Sequence, residues 1–298
     1  MKAISYSLFG YEVGKYKNCF EFNSYLVGLM LSIRMNRLVF PGWDTVVHID
    51  IKTYQAFEQF FADLGRIIKI KVISKNPELC EAMLWRLKPI FSRDSTGKYK
   101  YSHILCRDLD SLHTYREAQA VKVWLDGGKA AHAITDSISH TIPMMGGMIG
   151  FKTGSFQEIT GYPTYDELLR HNTYDLSVKG ADQSFINKVI YPKFSQMGND
   201  SITQHYFKGH ANTWLSDFHK CECWLYKSAL GHKDDCPENV DIDLLDELKA
   251  TNEISEHMGA AGFNQFQTMS FVEKYDFMFE DLVDLERGYP NIFYWIKT

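Results

Sequence analysis

The 298-residue chain has no run of about 18 apolar residues, so no membrane span is expected in it. It has no excess of basic residues: 32 Lys and Arg stand against 37 Asp and Glu, a net charge of −5. Without a basic stripe, nucleic acid is not an expected partner. Cysteines are few over the first two thirds (Cys19, Cys80 and Cys106), a usage that suits reduced thiols. The first ten residues read as a strand rather than a signal peptide. Together these absences point to a cytoplasmic protein. No internal repeat and no low-complexity tract interrupts the chain. Hydrophobic residues make up 45 % and charged residues 23 %, ordinary values for a chain that buries a sizeable core. Aromatics reach 14 %, enough to supply both a core and stacking surfaces.

Apolar runs alternate with helical patterns. Strands are expected at Lys2 to Phe9, Thr45 to Ile51, Arg66 to Ile73, Tyr101 to Cys106 and Ala130 to Thr135. Between them, Phe22, Tyr25, Leu26, Leu29, Met30 and Ile33 mark one helical face. Further helices are expected over Tyr54 to Leu64, over Glu78 to Leu87, and from Thr114 to the Gly127-Gly128 stop. This order predicts an α/β fold with a central, mostly parallel sheet flanked by helices. A helical extension, 216–298, should follow a catalytic domain of 1–215. In such sheets ligands gather at the carboxyl ends of the strands, and Gly10, Asp50, Asp108, Asp110 and Asp136 all fall at expected strand ends.

Asp108 and Asp110 bracket Leu109 at the end of an apolar strand. In extended chain both carboxylates then face one side and the leucine the other. Two carboxylates so close repel unless one is protonated or a cation lies between them. Mg²⁺ or Mn²⁺ accepts a few carboxylate oxygens and completes its shell with phosphate and water. An exposed acidic turn is the plainer use of the same three residues.

Several blocks in order carry more weight: Cys106-Arg107-Asp108-Leu109-Asp110-Ser111, Tyr115-Arg116-Glu117, His132, Asp136 and His140, and Gly146-Gly147-Met148-Ile149-Gly150. Gly180-Ala181-Asp182-Gln183-Ser184-Phe185-Ile186-Asn187 and Gln204-His205-Tyr206 follow. This succession, from about Lys2 to Trp214, resembles GT-A glycosyltransferases, in particular the glycogenin and lipooligosaccharide galactosyltransferase group. The resemblance implies a metal-dependent transfer of a sugar from a nucleotide diphosphate sugar to a glycan or other hydroxyl acceptor. It implies that Asp108 and Asp110 hold Mn²⁺ or Mg²⁺ and the diphosphate, with His205 completing the metal shell. Asp136, Gly146 and Gly147 would line the donor sugar pocket. Asp182 and Gln183 would lie beside the anomeric carbon, and Leu8 to Gly10, Arg86 and Lys88 would meet the nucleotide. Asp182 would be the base of an inverting reaction; in a retaining one, Asp182 or Gln183 would stabilise the oxocarbenium-like centre.

The sequence also departs from that group. Its His-x-x-Gly-x-x-Lys-Pro-Trp run is replaced by His205-Tyr206-Phe207-Lys208-Gly209-His210, with Trp214 further on. His210 therefore rivals His205 as the metal ligand. His219, Cys221, Cys223, His232 and Cys236 have irregular spacings that suit free thiols better than a zinc site. A nucleotidyltransferase is the alternative enzyme, but Leu8-Phe9-Gly10-Tyr11 lacks the Gly-rich basic loop of that class. A sugar-binding protein without turnover is the non-enzymatic alternative.

Overall fold

The computed structural model describes residues 1–11, 19–74, 77–111, 113, 115–135, 142–197, 201–206 and 276–293. A seven-stranded sheet organises them. Its strands are β1 (Lys2–Leu8), β2 (Asp44–Asp50), β3 (Lys69–Ile73), β4 (His103–Arg107), β5 (Ala131–Thr135), β6 (Met148–Lys152) and β7 (Ile202–Tyr206), in the order β3-β2-β1-β4-β6-β5-β7. All neighbours are parallel except β6, which runs against both β4 and β5. The expected α/β architecture, a mostly parallel sheet with helices on its faces, is what forms.

Strands β1, β2, β4 and β5 are buried on both faces, as strands covered by helices must be, whereas the edge strand β3 is largely exposed. Alternate side chains serve two cores. Ile4, Tyr6 and Leu8 of β1 and Leu105 of β4 pack with helix α1 (Cys19–Val39) and α3 (Glu58–Leu64). Ala3, Ile104 and Cys106 face the other way, onto Trp85, Phe156 and Phe194. The helices of that second layer are α4 (Leu79–Leu84), the 3₁₀ segment Trp85–Phe91, α6 (Thr153–Thr160) and α7 (Tyr165–Arg170). Three stretches that run on without a break complete it: α8 (Ala181–Phe185), the π-helical Ile186–Ile190, and α9 (Tyr191–Ser195). Helix α5 (Tyr115–Gly127) seats Val121 and Trp124 in the first core.

Two expected helices are broken. Tyr54 to Leu64 divides into α2 (Ile51–Ala56) and α3 at Phe57, whose backbone (φ −129°, ψ 35°) is not helical. Glu78 to Leu87 becomes α4 and then a 3₁₀ segment, because Pro89 has no backbone N–H to continue an α-helix.

Near the other terminus, α10 (Glu280–Gly288) and α11 (Pro290–Phe293) close over the first core with Leu282, Ile292 and Phe293. Arg34 reaches Glu286 through two bonds of 2.8 Å, and Arg37 makes a two-pronged pair with Asp281. Such forked guanidinium–carboxylate pairs fix direction as well as distance. The division expected between 215 and 216, and the Cys221, Cys223 and Cys236 region, lie outside the described residues. No described helix is long and apolar enough to cross a membrane.

Candidate active site

The chain runs β1, β2, β3 outward and then returns to place β4 on the far side of β1. The sheet thus has a switch point between β1 and β4, and a crevice must open beyond their carboxyl ends. A cleft of about 590 Å³ lies there, lined by Leu8, Gly10 and Tyr11 after β1 and by Asp108, Leu109 and Asp110 after β4. Asp182 and Gln183 of α8 line it too.

The β4 end keeps the alternation expected of it. Leu109 is buried in the first core, whereas the Asp108 side chain is 47 % exposed and Asp110 is partly buried in the cleft wall. Burial, reinforced by the charge of Asp108, raises the Asp110 carboxyl above its ordinary range. Arg107 anchors the turn from below. Its guanidinium donates to the Gly147 carbonyl (3.0 Å) and to the carbonyl and hydroxyl of Ser111 (3.2 Å each), and pairs with Glu117 at 3.3 Å. Glu117 also meets His113 Nδ1 at 3.0 Å, so a buried triad underlies the two aspartates.

Arg86 organises the upper side. It is only 2 % exposed, and one guanidinium nitrogen donates to Asp108 while the other donates to Asp182 at 3.1 Å. Burial works against its charge, but Asp108 and Asp182 more than restore it, and its pKa is raised. Burial pushes the neighbouring Cys106 thiol up to about 12, so it stays neutral beneath this group. The glycines expected to admit a sugar ring have a different use here. A Cβ on Gly146 would overlap the Arg86 guanidinium, and one on Gly147 would overlap the Asp108 carboxylate. The space they leave is filled by that ion pair.

Gln183 is likewise engaged. Its Oε1 accepts from the Gly146 N–H at 3.0 Å, while Asn187 clasps Met144 through N–H···O bonds of 2.9 and 2.8 Å. Helix α8 and the π-helical stretch after it therefore lock the 144–147 turn in place. Gly180 (φ 88°) starts that helix from a left-handed conformation that glycine adopts readily. Asp182, 2 % exposed, sits in its first turn. On the β1 side, Asp50 accepts from Gly10 N at 3.0 Å with one oxygen and from the N–H groups of Lys52 and Thr53 with the other. It joins two loops and is not a free ligand.

Two expected site residues lie elsewhere. His205 does not reach the aspartates: β7 is three strands from β4, about 14 Å at the usual spacing. Its ring is fully buried against His132, 5.1 Å away between centroids. Lys88 turns from the cleft to lie 3.9 Å over the Tyr165 ring. Asp136, His140, Lys208 and His210 lie outside the described residues. Lys52 and Lys179, both exposed, line the cleft instead. Their sequence signal was adjacency, Lys52 two residues past Asp50 and Lys179 directly before Gly180.

The buried histidines make the fold acid-sensitive. Burial lowers His48 to about 3, helped by the charge of Lys88, and burial lowers His205 to about 3 against a weaker opposing interaction with the Ala120 backbone. Below the unfolded value near 6.5, the unfolded chain takes up protons that the folded chain does not, so stability falls as pH drops from about 6.5 toward 3. At pH 5 each histidine should cost on the order of 2 kcal/mol relative to pH 7. Urea unfolding at both pH values measures this, and His205→Gln should shrink the difference by one histidine's share. An unchanged difference in that variant would refute the assignment.

No family model matches the chain, and no curated protein matches it in sequence. Among solved structures it is similar to 4-diphosphocytidyl-2C-methyl-D-erythritol synthase from Anaerococcus prevotii: TM-score 0.39, 10 % identity, 70 % of this chain and 90 % of that one. It is also similar to mouse xyloside xylosyltransferase 1 in its apo form: TM-score 0.34, 11 % identity, 68 % of this chain and 85 % of that one. Likenesses of this size carry no argument about activity.

Proposed function

We propose that the chain is a glycosyltransferase that takes its sugar from a nucleotide diphosphate donor, with a divalent cation at Asp108 and Asp110. One observation carries this reading: both carboxylates, with Leu109 turned into the core between them, line the cleft at the switch point of a mostly parallel sheet. Their chemistry suits a hard cation. Two carboxylates suit Mg²⁺ or Mn²⁺ arriving with a diphosphate, whose oxygens and water fill remaining positions.

When bound, the cation would neutralise charge growing on the departing diphosphate. The chain's own groups do the rest. Arg107 fixes the turn that presents Asp108 and Asp110. Lys52 and Lys179 add positive charge at the cleft for phosphate oxygens. Arg86 pins Asp182, while Gln183 holds the 144–147 turn through Gly146. Asp182 thereby stands at a fixed place beside the donor, where it serves as base to the acceptor hydroxyl or as a negative charge beside the anomeric carbon.

The test incubates the protein with a panel of nucleotide sugars, with and without Mn²⁺, and measures release of nucleoside diphosphate. Slow, Mn²⁺-dependent release supports the proposal. Pyrophosphate-dependent formation of nucleoside triphosphate would reassign the chain as a nucleotidyltransferase. No turnover of any donor in the presence of hydroxyl acceptors would make it a binding protein.

A further inference from the structure

Asp108 is asked to do two things at once. As a metal ligand it must offer its charge and an oxygen to a cation, yet one of its oxygens already accepts from the Arg86 guanidinium. Arg86 is buried to 2 % and cannot relax into solvent without leaving the pocket that Gly146 opens for it. The same guanidinium serves Asp182. A buried guanidinium between two carboxylates offsets their charge, and removing it would strand both.

Building on the transferase reading, we infer that Arg86 is a resident counter-ion which competes with the divalent cation for Asp108, so that the cleft binds free metal weakly and binds it well only when a diphosphate draws one guanidinium nitrogen off Asp108 while the other stays on Asp182. A diphosphate is the chemistry that would do so, because planar guanidinium groups pair with phosphate oxygens as readily as with carboxylates. The exchange couples the two ligands. Whatever the anion does to metal affinity, the metal does equally to anion affinity. The site would thus discriminate against idle metal and assemble only around a metal–diphosphate pair.

The measurement is direct binding of Mn²⁺ alone, read from the loss of the free-ion electron paramagnetic resonance signal on titration into the full chain. Wild-type protein should bind weakly. Arg86→Met, which removes the competing charge, should bind Mn²⁺ at least tenfold more tightly, and adding Asp110→Asn to it should abolish that gain. Arg86→Gln is the second variant, because it removes the charge while keeping a polar side chain in the pocket beside Asp182, and it should tighten Mn²⁺ binding in the same direction. Should Arg86→Met prove too unstable to titrate, Arg86→Gln decides alone. Mn²⁺ binding that is unchanged or weaker in the folded variant overturns the exchange, while donor turnover by wild-type protein would leave the transferase reading standing. Wild-type protein that already binds Mn²⁺ as tightly as the variants also overturns it. Absence of Mn²⁺ binding in all proteins, together with absence of donor turnover, would defeat both.

Discussion

Asp110→Asn should lower Mn²⁺-dependent release of nucleoside diphosphate by about 10³-fold, the scale on which losing one stabilising group for transition-state charge acts. The two aspartates are not equivalent, which is why Asp110 carries the larger expectation. Asp108 is already paired with Arg86 and seated on Gly147, so its charge is partly satisfied by the protein. Asp110 lines the same cleft, and its carboxyl is raised by burial and by the Asp108 charge. It gains most from a cation. Asn keeps the shape and loses the charge, so the fold should persist. Thermal unfolding of the variant should lie at or above that of wild type, since a like-charge contact is relieved. Full Mn²⁺-dependent turnover in a folded Asp110→Asn protein would remove the aspartate from the mechanism.

The residues that could be placed from sequence were those whose role follows from period and position. Leu109 between two aspartates reads as an inward–outward alternation, and the structure keeps it. Four of the five strands from Lys2 to Thr135 are legible because strands buried on both faces are largely apolar, whereas the exposed edge strand β3 shows itself by apolar residues set between lysines. Asp182 and Gln183 reach the cleft because α8 begins at its wall, which a local block of sequence expresses well. Roles that depend on a partner far along the chain were not legible. Arg86 looked like a nucleotide contact, and only the meeting of three segments shows that it joins Asp108 to Asp182, 22 and 96 residues away. Gly146 and Gly147 signalled that something comes close to the backbone, but not whether it is a sugar ring or a side chain of the same protein. His205 is a related case: strand order, which puts β7 three positions from β4, is a property of the sheet and not of the segment.

Arg107→Met should destabilise the fold by about 3–5 kcal/mol, the usual result of removing one member of a buried ion pair and leaving the other. Arg107 is 1 % exposed, and Glu117 is equally buried. Without the guanidinium, Glu117 faces His113, whose own pKa is lowered by burial, so the histidine does not easily supply the missing positive charge. Glu117 is expected to take up a proton in the variant, and its stability loss should therefore shrink as pH is lowered toward the acid range, opposite in sign to the wild-type histidine effect. Contacts to the Gly147 and Ser111 carbonyls, the Ser111 hydroxyl and Glu117 disappear together. Those to Ser111 hold the turn that carries Asp108 and Asp110, so donor binding should weaken even under conditions where the variant is fully folded. Restoring neutrality with Glu117→Gln in the Arg107→Met background should recover much of the stability, since it removes the stranded charge, but not the donor binding, since the turn stays untethered. Urea unfolding and nucleotide-sugar thermal shifts on the single and double variants separate the two effects. Recovery of both together would mean that Arg107 acts only through Glu117 and not through the turn.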